Sequence, residues 1–488
     1  MADDSSELES AIPPMALHRS ALLGWLLPAA AILGVYAALS LAELGSKDLN
    51  VDELVTSALA RVSAGEILDD RPRQGHGPLY FLLVQGWVEV AGHTVETLAL
   101  FSALLGAFGI VATGWAAREL GFGRWSWVAM GLLAVHPEFV HLGRFVRPYS
   151  GAVAFAALQI ALAGWALRGG RRAALALACA GVAGALWHHS LVTGWIALGL
   201  AVAAVPALRR GSGAALWVAL SVALLAHGGM LFWVWKASRT VADPLGWIEP
   251  AGWAESLSVM LKVFGGKDLW AGRLEFGWVV PLAIAGAIGW CFQATRRRPR
   301  LALALAGAVV PLALLGAVTL LAQPMWRERY LVVCLPGGLL CLVAGLRCVP
   351  WRWPRAGGIA LLAAVSLVRA EGVSEERGSG LREVVARLER ERPARAPRAP
   401  IITTSANAVE GVRLHSGGRL EAFFPGRADY AESWVRVREI TEGADHLWVV
   451  GYRKVDEFFG AEFWRREGVR EVWRKEENVS EVRLYALE

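Results

Sequence analysis

The chain has 488 residues, 55% of them hydrophobic, and a formal net charge of +6. Apolar runs of about 18 to 22 residues recur between Ala21 and Leu367, and each is long enough to cross a hydrocarbon core. This pattern excludes a soluble protein. Because the runs are rich in Leu, Ala, Val and Gly without strand-like alternation, they favour a helical membrane bundle.

The first apolar run, from Ser20 to Leu44, predicts a membrane-spanning helix. It follows a polar N-terminal tail of residues 1–19 that does not resemble a cleavable signal, so we expect the helix to stay as an anchor. In the next polar segment, Val51 to Ala64 has the apolar spacing of an amphipathic helix on the membrane surface. Pro78 to Val90 is apolar but, at about 13 residues, short for a crossing, which favours an interfacial or re-entrant segment.

A series of further spans is predicted downstream. They fall near residues 96–117, 125–140, 149–167, 173–187, 190–207, 214–235, 277–295, 301–321, 330–346 and 357–370. If residues 78–90 do not cross, the turns on the side of the N-terminus carry the arginine clusters at 118–124, 168–172, 209–210, 296–300 and 347–355. The positive-inside rule then predicts about eleven spans, a cytoplasmic N-terminus and an outer C-terminus. Arginines in such loops set topology, so nucleic acid is not an expected partner.

The composition changes after Ala370, where charged and polar residues prevail. Leu381 to Leu388 has the spacing of an amphipathic helix, and Ile401-Ile402 and His446 to Gly451 are strand candidates. We therefore expect a transmembrane domain over residues 20–370, whose first outer loop at residues 45–95 contains amphipathic surface helices. A small extracytoplasmic α/β domain is expected over residues 371–488.

Two adjacent carboxylates, Asp52 and Glu53, open the predicted surface helix. They are either acids that complement the helix dipole, or a general base or cation-binding carboxylate at the membrane surface. A helix places neighbours about 100° apart, so one carboxylate can face a cavity while the other supports it. Further on, His76 precedes a short apolar segment, where an imidazole could meet a phosphate, although a lone histidine is more often structural.

Three more polar elements lie on the same predicted side of the membrane. They are Arg144 to Tyr149 (RFVRPY), Trp187-His188-His189, and Arg327 to Leu331 (RERYL). Each has a structural alternative: the first arginines can snorkel to the interface, the histidines can pack at a helix end, and Glu328 can pair with a neighbouring arginine.

In their order and shared side, these elements resemble the GT-C superfamily of membrane glycosyltransferases. The branch they resemble most is the family 39-like one that holds protein O-mannosyltransferases and aminoarabinose transferases. Asp52-Glu53 is similar to the acidic pair of that branch's first outer loop, and residues 75–81 (GHGPLYF) resemble its His-Pro-Pro-Leu-Tyr-type element, with Gly77 replacing the first proline. The other three elements resemble its Arg-Pro-Tyr, aromatic-Thr-His and Arg-Tyr-Leu elements, with His188 in place of the threonine. The resemblance extends to about residue 346.

The resemblance implies an all-α polytopic bundle of GT-C type and an enzyme that transfers a hexosyl or pentosyl group. Its donor would be a polyprenyl-phosphate sugar and its acceptor a lipid, glycan or protein on the extracytoplasmic face of a cell membrane, as in a bacterial inner membrane, with inversion. Asp52 would be the base and Glu53 its supporting or substrate-binding neighbour. The substrate- and phosphate-binding residues would be His76, Arg144, Arg147, Tyr149, His189, Arg327, Arg329 and Tyr330. Some relatives bind a divalent metal and others need none, so a metal is left unassigned.

Two other functions are compatible with a polytopic chain. A transporter or flippase of lipid-linked substrates would carry ionisable residues near the middle of its spans and internal repeats, and this sequence has few of the former and no evident repeat. A non-catalytic protein that binds a lipid-linked sugar would not need the acidic pair.

Overall fold

The structure is a computed structural model that describes residues 19–42, 44, 47–239, 252–264, 279–321, 325–371, 380–424, 437, 439–442, 444–452, 469–477 and 480–487. The predicted N-terminal tail lies outside the described residues, apart from Arg19.

The described part of the chain is mostly helical. Its helices are α1 (Arg19–Leu41), α2 (Val51–Leu59), α3 (Ala64–Arg73), α4 (Leu79–Ala91), α5 (Val95–Glu119), α6 (Ser126–Ala134), α7 (Pro137–Arg144), α8 (Tyr149–Ala166), α9 (Arg171–Trp187), α10 (Leu191–Ala204), α11 (Pro206–Gly211), α12 (Ala214–Ser238), α13 (Trp253–Val263), α14 (Val279–Ala294), α15 (Leu301–Leu321), α16 (Glu328–Leu331), α17 (Leu335–Cys348), α18 (Arg352–Glu371), α19 (Leu381–Arg395) and α20 (Ala406–His415).

Within the described residues, five helical stretches are long and apolar enough to cross a membrane. They are Val95–Glu119, Tyr149–Ala166, Ala214–Ser238, Leu301–Leu321 and Glu328–Cys348. The stretches Leu26–Leu41, Leu79–Ala91, Leu191–Ala204 and Pro281–Ala294 are apolar but shorter. The predicted total of about eleven crossings stays a prediction.

Two predicted helices are broken in the structure. The amphipathic segment 51–64 is helical only over α2, which ends at Leu59, and Ser63 forms a capping box with Glu66 that begins the next helix, α3, at Ala64. The predicted span 125–140 is divided into α6 and α7 at Pro137, which occupies the first turn of α7 after the extended His136. A proline fits this position because the first N–H of a helix has no intrahelical partner.

Small residues allow the central helices to approach closely. A Cβ on Gly109 of α5 would lie 3.4 Å from Ala154 Cα of α8, and a Cβ on Gly181 of α9 would lie 2.3 Å from Ala223 Cβ of α12. In a lipid environment such contacts are a main source of helix association, because burial from lipid gives no hydrophobic gain.

A four-stranded sheet follows the helical bundle. Its strands are β1 (Ile401–Thr403), β2 (His446–Tyr452), β3 (Val469–Glu477) and β4 (Ser480–Leu487), in the spatial order β1-β2-β4-β3. β1 and β2 are parallel and the other pairs are antiparallel. Helix α20 packs against α2, so the sheet and its helices lie on the same side of the bundle as the acidic pair.

Candidate active site

Helix α2 is fixed at its first turn by Glu53. Asn50 and Glu53 form a capping box, in which each side chain accepts the other's backbone N–H at 3.1 Å. The second carboxylate oxygen of Glu53 accepts Val146 N–H at 2.8 Å and lies 2.7 Å from Lys47 Nζ. Glu53 is therefore buried and fully bonded, and it joins α2 to the segment that carries Arg147.

The Asp52 side chain, in contrast to that of Glu53, is partly exposed. It is 44% exposed and lies 3.1 Å from Nη1 of Arg329. Arg147 Nη1 donates to the backbone carbonyl of Asp52 at 3.2 Å. The Glu53 carboxylate thus supports the structure, while the Asp52 carboxylate is partly exposed and lies beside two guanidinium groups.

His76 lies next to this pair, at the turn between α3 and α4. Arg147 Nη2 is 3.4 Å from His76 Nε2. The Phe81 ring packs against both groups and against Arg71, whose guanidinium carbon is 5.1 Å from the ring centroid. Three basic groups therefore surround one aromatic ring.

Aromatic and imidazole rings from other helices pack together near these groups. The His188 ring lies 5.6 Å from Tyr149, 4.5 Å from His189 and 5.9 Å from Tyr330, between ring centroids. Arg329 lies over the Tyr330 ring at 5.6 Å. We call the group formed by Asp52, Arg71, His76, Arg147, Tyr149, His188, His189, Arg329 and Tyr330 the basic cluster.

The histidines of the basic cluster are neutral near pH 7. Burial, with smaller contributions from Arg147 and Arg71, holds the pKa of His76 well below its usual range. Burial and the adjacent His189 do the same to the pKa of His188, and burial lowers the pKa of His189 to about 4. The positive charge of the cluster therefore comes from its guanidinium groups.

Several polar atoms of the cluster face inward without a partner. No described residue forms a hydrogen bond with His76 Nδ1, His188 Nε2, His189 Nε2 or Arg147 Nε. Buried polar atoms in folded proteins nearly always have a partner. Together with the guanidinium groups of Arg147 and Arg329, these unpartnered atoms are suited to binding an anion.

The structure brings together most of the predicted residues. Asp52, His76, Arg147, Tyr149, His189, Arg329 and Tyr330 meet in the basic cluster, and Glu53 lies directly behind it. Arg144 instead donates to the carbonyl of Ala42 at 2.8 Å, and Arg327 pairs with Glu255 at 2.8 Å. Arg71 was missed, since nothing in its polar surroundings distinguishes it from Arg61 or Arg73, and His188 was left out of the predicted set.

The residues around Asp52 do not fit a divalent cation. The described residues contain no group of three His, Cys, Asp or Glu side chains arranged to hold a metal. The oxygens of Glu53 are already bonded, and the nearest charges to Asp52 are those of Arg147 and Arg329.

Gly77 is required by the packing of the turn. A Cβ at this position would lie 2.2 Å from the backbone oxygen of Leu186, at the end of α9. We expect Gly77→Ala to destabilise the protein by about 1–3 kcal/mol, because the backbone must shift. Thermal unfolding in detergent would measure the change.

Gly86→Ala on α4 is the matched control, because a Cβ there meets nothing within 4 Å. It should leave stability equal or slightly higher, as alanine is the better helix former. Equal melting temperatures for Gly77→Ala and the parent protein would show that the turn tolerates a side chain.

Comparison with known proteins identifies the fold. No described protein family and no curated protein sequence matches the chain. Among solved structures, it is similar to ArnT from Cupriavidus metallidurans bound to undecaprenyl phosphate, with a TM-score of 0.59 and 14% identity over 94% of this chain and 98% of that chain. The apo state of that ArnT gives a TM-score of 0.57 and 15% identity over 95% and 98%. The apo oligosaccharyltransferase from Archaeoglobus fulgidus gives a TM-score of 0.50 and 12% identity, over 88% of this chain and 70% of that chain. The chain therefore shares the polytopic helical fold of these proteins, which confirms the helical fold predicted from the sequence.

Proposed function

We propose that this chain is a membrane glycosyltransferase of GT-C type, which moves a sugar from a polyprenyl phosphate to an acceptor. The observation that carries the proposal is the basic cluster, where guanidinium groups and unpartnered imidazole nitrogens lie beside a partly exposed carboxylate. An anion can be held there while a base acts next to it. The likeness to an ArnT structure bound to undecaprenyl phosphate supports a lipid phosphate as that anion.

Each group in the cluster then has a task. Asp52 accepts the proton of an acceptor hydroxyl or amine as the acceptor atom bonds to the anomeric carbon of the sugar. The bond between that carbon and the phosphate oxygen breaks, and its electron pair goes to the lipid phosphate. Arg147 and Arg329 stabilise the negative charge that develops there. A single displacement of this kind inverts the anomeric configuration, and the proton leaves Asp52 to solvent.

The membrane arrangement is part of the proposal. We place about eleven spans in a cell membrane, of the bacterial inner-membrane type, with the N-terminus in the cytoplasm and residues 371–488 outside. The arginine-rich turns support this orientation. It puts the basic cluster at the outer face, where a lipid, glycan or protein acceptor can reach it.

Purified protein in lipid nanodiscs, given a panel of polyprenyl-phosphate sugars and an extract of membrane lipids and glycans, tests the proposal. We expect one donor to be consumed, with release of polyprenyl phosphate and an inverted anomeric centre by NMR. Movement of an intact lipid-linked sugar across vesicle membranes, without cleavage of any donor, would support the transporter alternative instead.

A further inference from the structure

Helices α19 and α20, called here the C-terminal helices, hold α2 on the side away from the Asp52 side chain. Since a helix turns about 100° per residue, Leu54 and Ser57 lie on the face of α2 opposite Asp52, about 200° and 140° from it. Leu54 is fully buried. A Cβ on Gly411 of α20 would lie 3.5 Å from Leu54 Cδ1 and 2.6 Å from Leu381 Cδ1, so α20 lies directly against α2 and α19.

A closed ring of hydrogen bonds joins α2 to α20. Ser57 Oγ donates to Glu410 Oε1 at 2.6 Å and lies 2.8 Å from His93 Nε2. Arg413 Nη2 lies 3.4 Å from His93 Nδ1 and also donates to Glu410. One proton arrangement satisfies every contact: a neutral His93 donates from Nε2 to Ser57 and accepts from Arg413 at Nδ1. Burial lowers the pKa of His93 to about 4, which is consistent with that neutral form.

Glu410 is the centre of the ring. It is 6% exposed and Ser57 is fully buried. Burial raises the pKa of Glu410 to about 7, against the opposing effect of the Ser57 hydrogen bond. None of the four side chains belongs to the basic cluster. A buried carboxyl joined to a serine 353 positions earlier in the chain holds two distant segments in one arrangement.

The residues just before α2 are held by the same helices. Asp48 accepts Gly380 N–H and lies 3.1 Å from His415 Nε2. Arg382 Nη1 donates to the carbonyl of Lys47 at 3.3 Å. Lys47 in turn pairs with Glu53. The C-terminal helices therefore contact both the approach to α2 and its back face.

We propose that Glu410 is a positioning residue of the transferase, which holds α2 through Ser57 and His93 so that Asp52 faces Arg329. The C-terminal helices are then part of the catalytic unit rather than an independent module. The kinetic part of this inference rests on the proposed function, whereas the structural part does not.

The test compares Glu410→Ala, Glu410→Gln and a control, Glu389→Ala. Glu389 lies on α19 and pairs with Arg419 in the same part of the protein, away from α2. For Glu410→Ala we expect kcat to fall about tenfold or more with the donor KM within about twofold, because the base is misplaced while the anion-binding groups remain. Hydrogen exchange at residues 51–60 should become about tenfold faster, without a change in the membrane helices.

Glu410→Gln should keep kcat within about threefold, because an amide oxygen still accepts from Ser57. Glu389→Ala should change neither measurement. If Glu410→Ala does not fold, Ser57→Ala removes the same hydrogen bond while altering a smaller side chain. The expected fall in kcat and the faster exchange at residues 51–60 are then the same. Unchanged exchange in α2, or equal losses of kcat for Glu410→Gln and Glu410→Ala, would overturn the inference. If the parent protein consumes no donor, the proposed function fails and exchange in α2 still decides the positioning role.

Discussion

Asp52→Asn should reduce kcat by about 10² or more while the protein still folds and binds its donor. The substitution keeps the size of the side chain but removes the base, and general-base catalysis contributes about 10²–10⁴ in rate. Stability should change by less than about 1 kcal/mol, because the pair with Arg329 is partly exposed to solvent. The measurement is steady-state turnover of the active donor, with donor binding measured separately.

Asp69→Asn is the matched control for this experiment. Asp69 lies on α3, where it is exposed and pairs with Arg73. Its substitution should leave turnover unchanged. A turnover for Asp52→Asn equal to that of the control would keep the enzyme class and exclude Asp52 as the base.

Arg329→Gln and Arg147→Gln should each reduce kcat/KM by about 10²–10³, the usual effect of removing one group that stabilises transition-state charge. The neutral histidines leave these guanidinium groups as main carriers of positive charge in the cluster. His189→Gln should therefore cost less, about tenfold or under. Arg329→Lys should recover only part of the loss, since an ammonium group cannot bind phosphate in the bidentate manner.

Arg327→Gln separates the two arginines of the RERYL element. Arg327 pairs with Glu255, whereas Arg329 pairs with Asp52 of the basic cluster. We expect Arg327→Gln to change kcat/KM by less than about threefold, because the loss of a partly exposed ion pair outside the cluster has a small effect. A loss as large as that for Arg329→Gln would return Arg327 to the phosphate-binding set predicted from the sequence.

The helical order could be predicted because the apolar runs match the thickness of a bilayer. The predicted span 96–117 corresponds to α5 (Val95–Glu119), and 214–235 corresponds to α12 (Ala214–Ser238). The break at Pro137 was missed, because proline is tolerated inside membrane helices and its effect depends on neighbouring packing. Pro311 lies inside α15 without ending it.

The candidate site was predicted from motif resemblance rather than from spacing. Asp52 meets Arg329 across 277 positions of the chain, a contact that no local pattern specifies. The different roles of Asp52 and Glu53 also could not be read from the sequence, since they depend on tertiary contacts. Glu53 accepts a hydrogen bond from Val146, 93 positions away. Glu410 could not be predicted at all, because its significance lies entirely in its distant partner Ser57.

The most direct test of the central claim is a structure of the protein in lipid nanodiscs with bound polyprenyl phosphate. We expect the phosphate within about 3 Å of the guanidinium nitrogens of Arg147 and Arg329, the usual distance of a charge-assisted hydrogen bond, with Asp52 beside it. Phosphate bound at the arginine-rich turns near residues 296–300, with no lipid phosphate at the basic cluster, would contradict it.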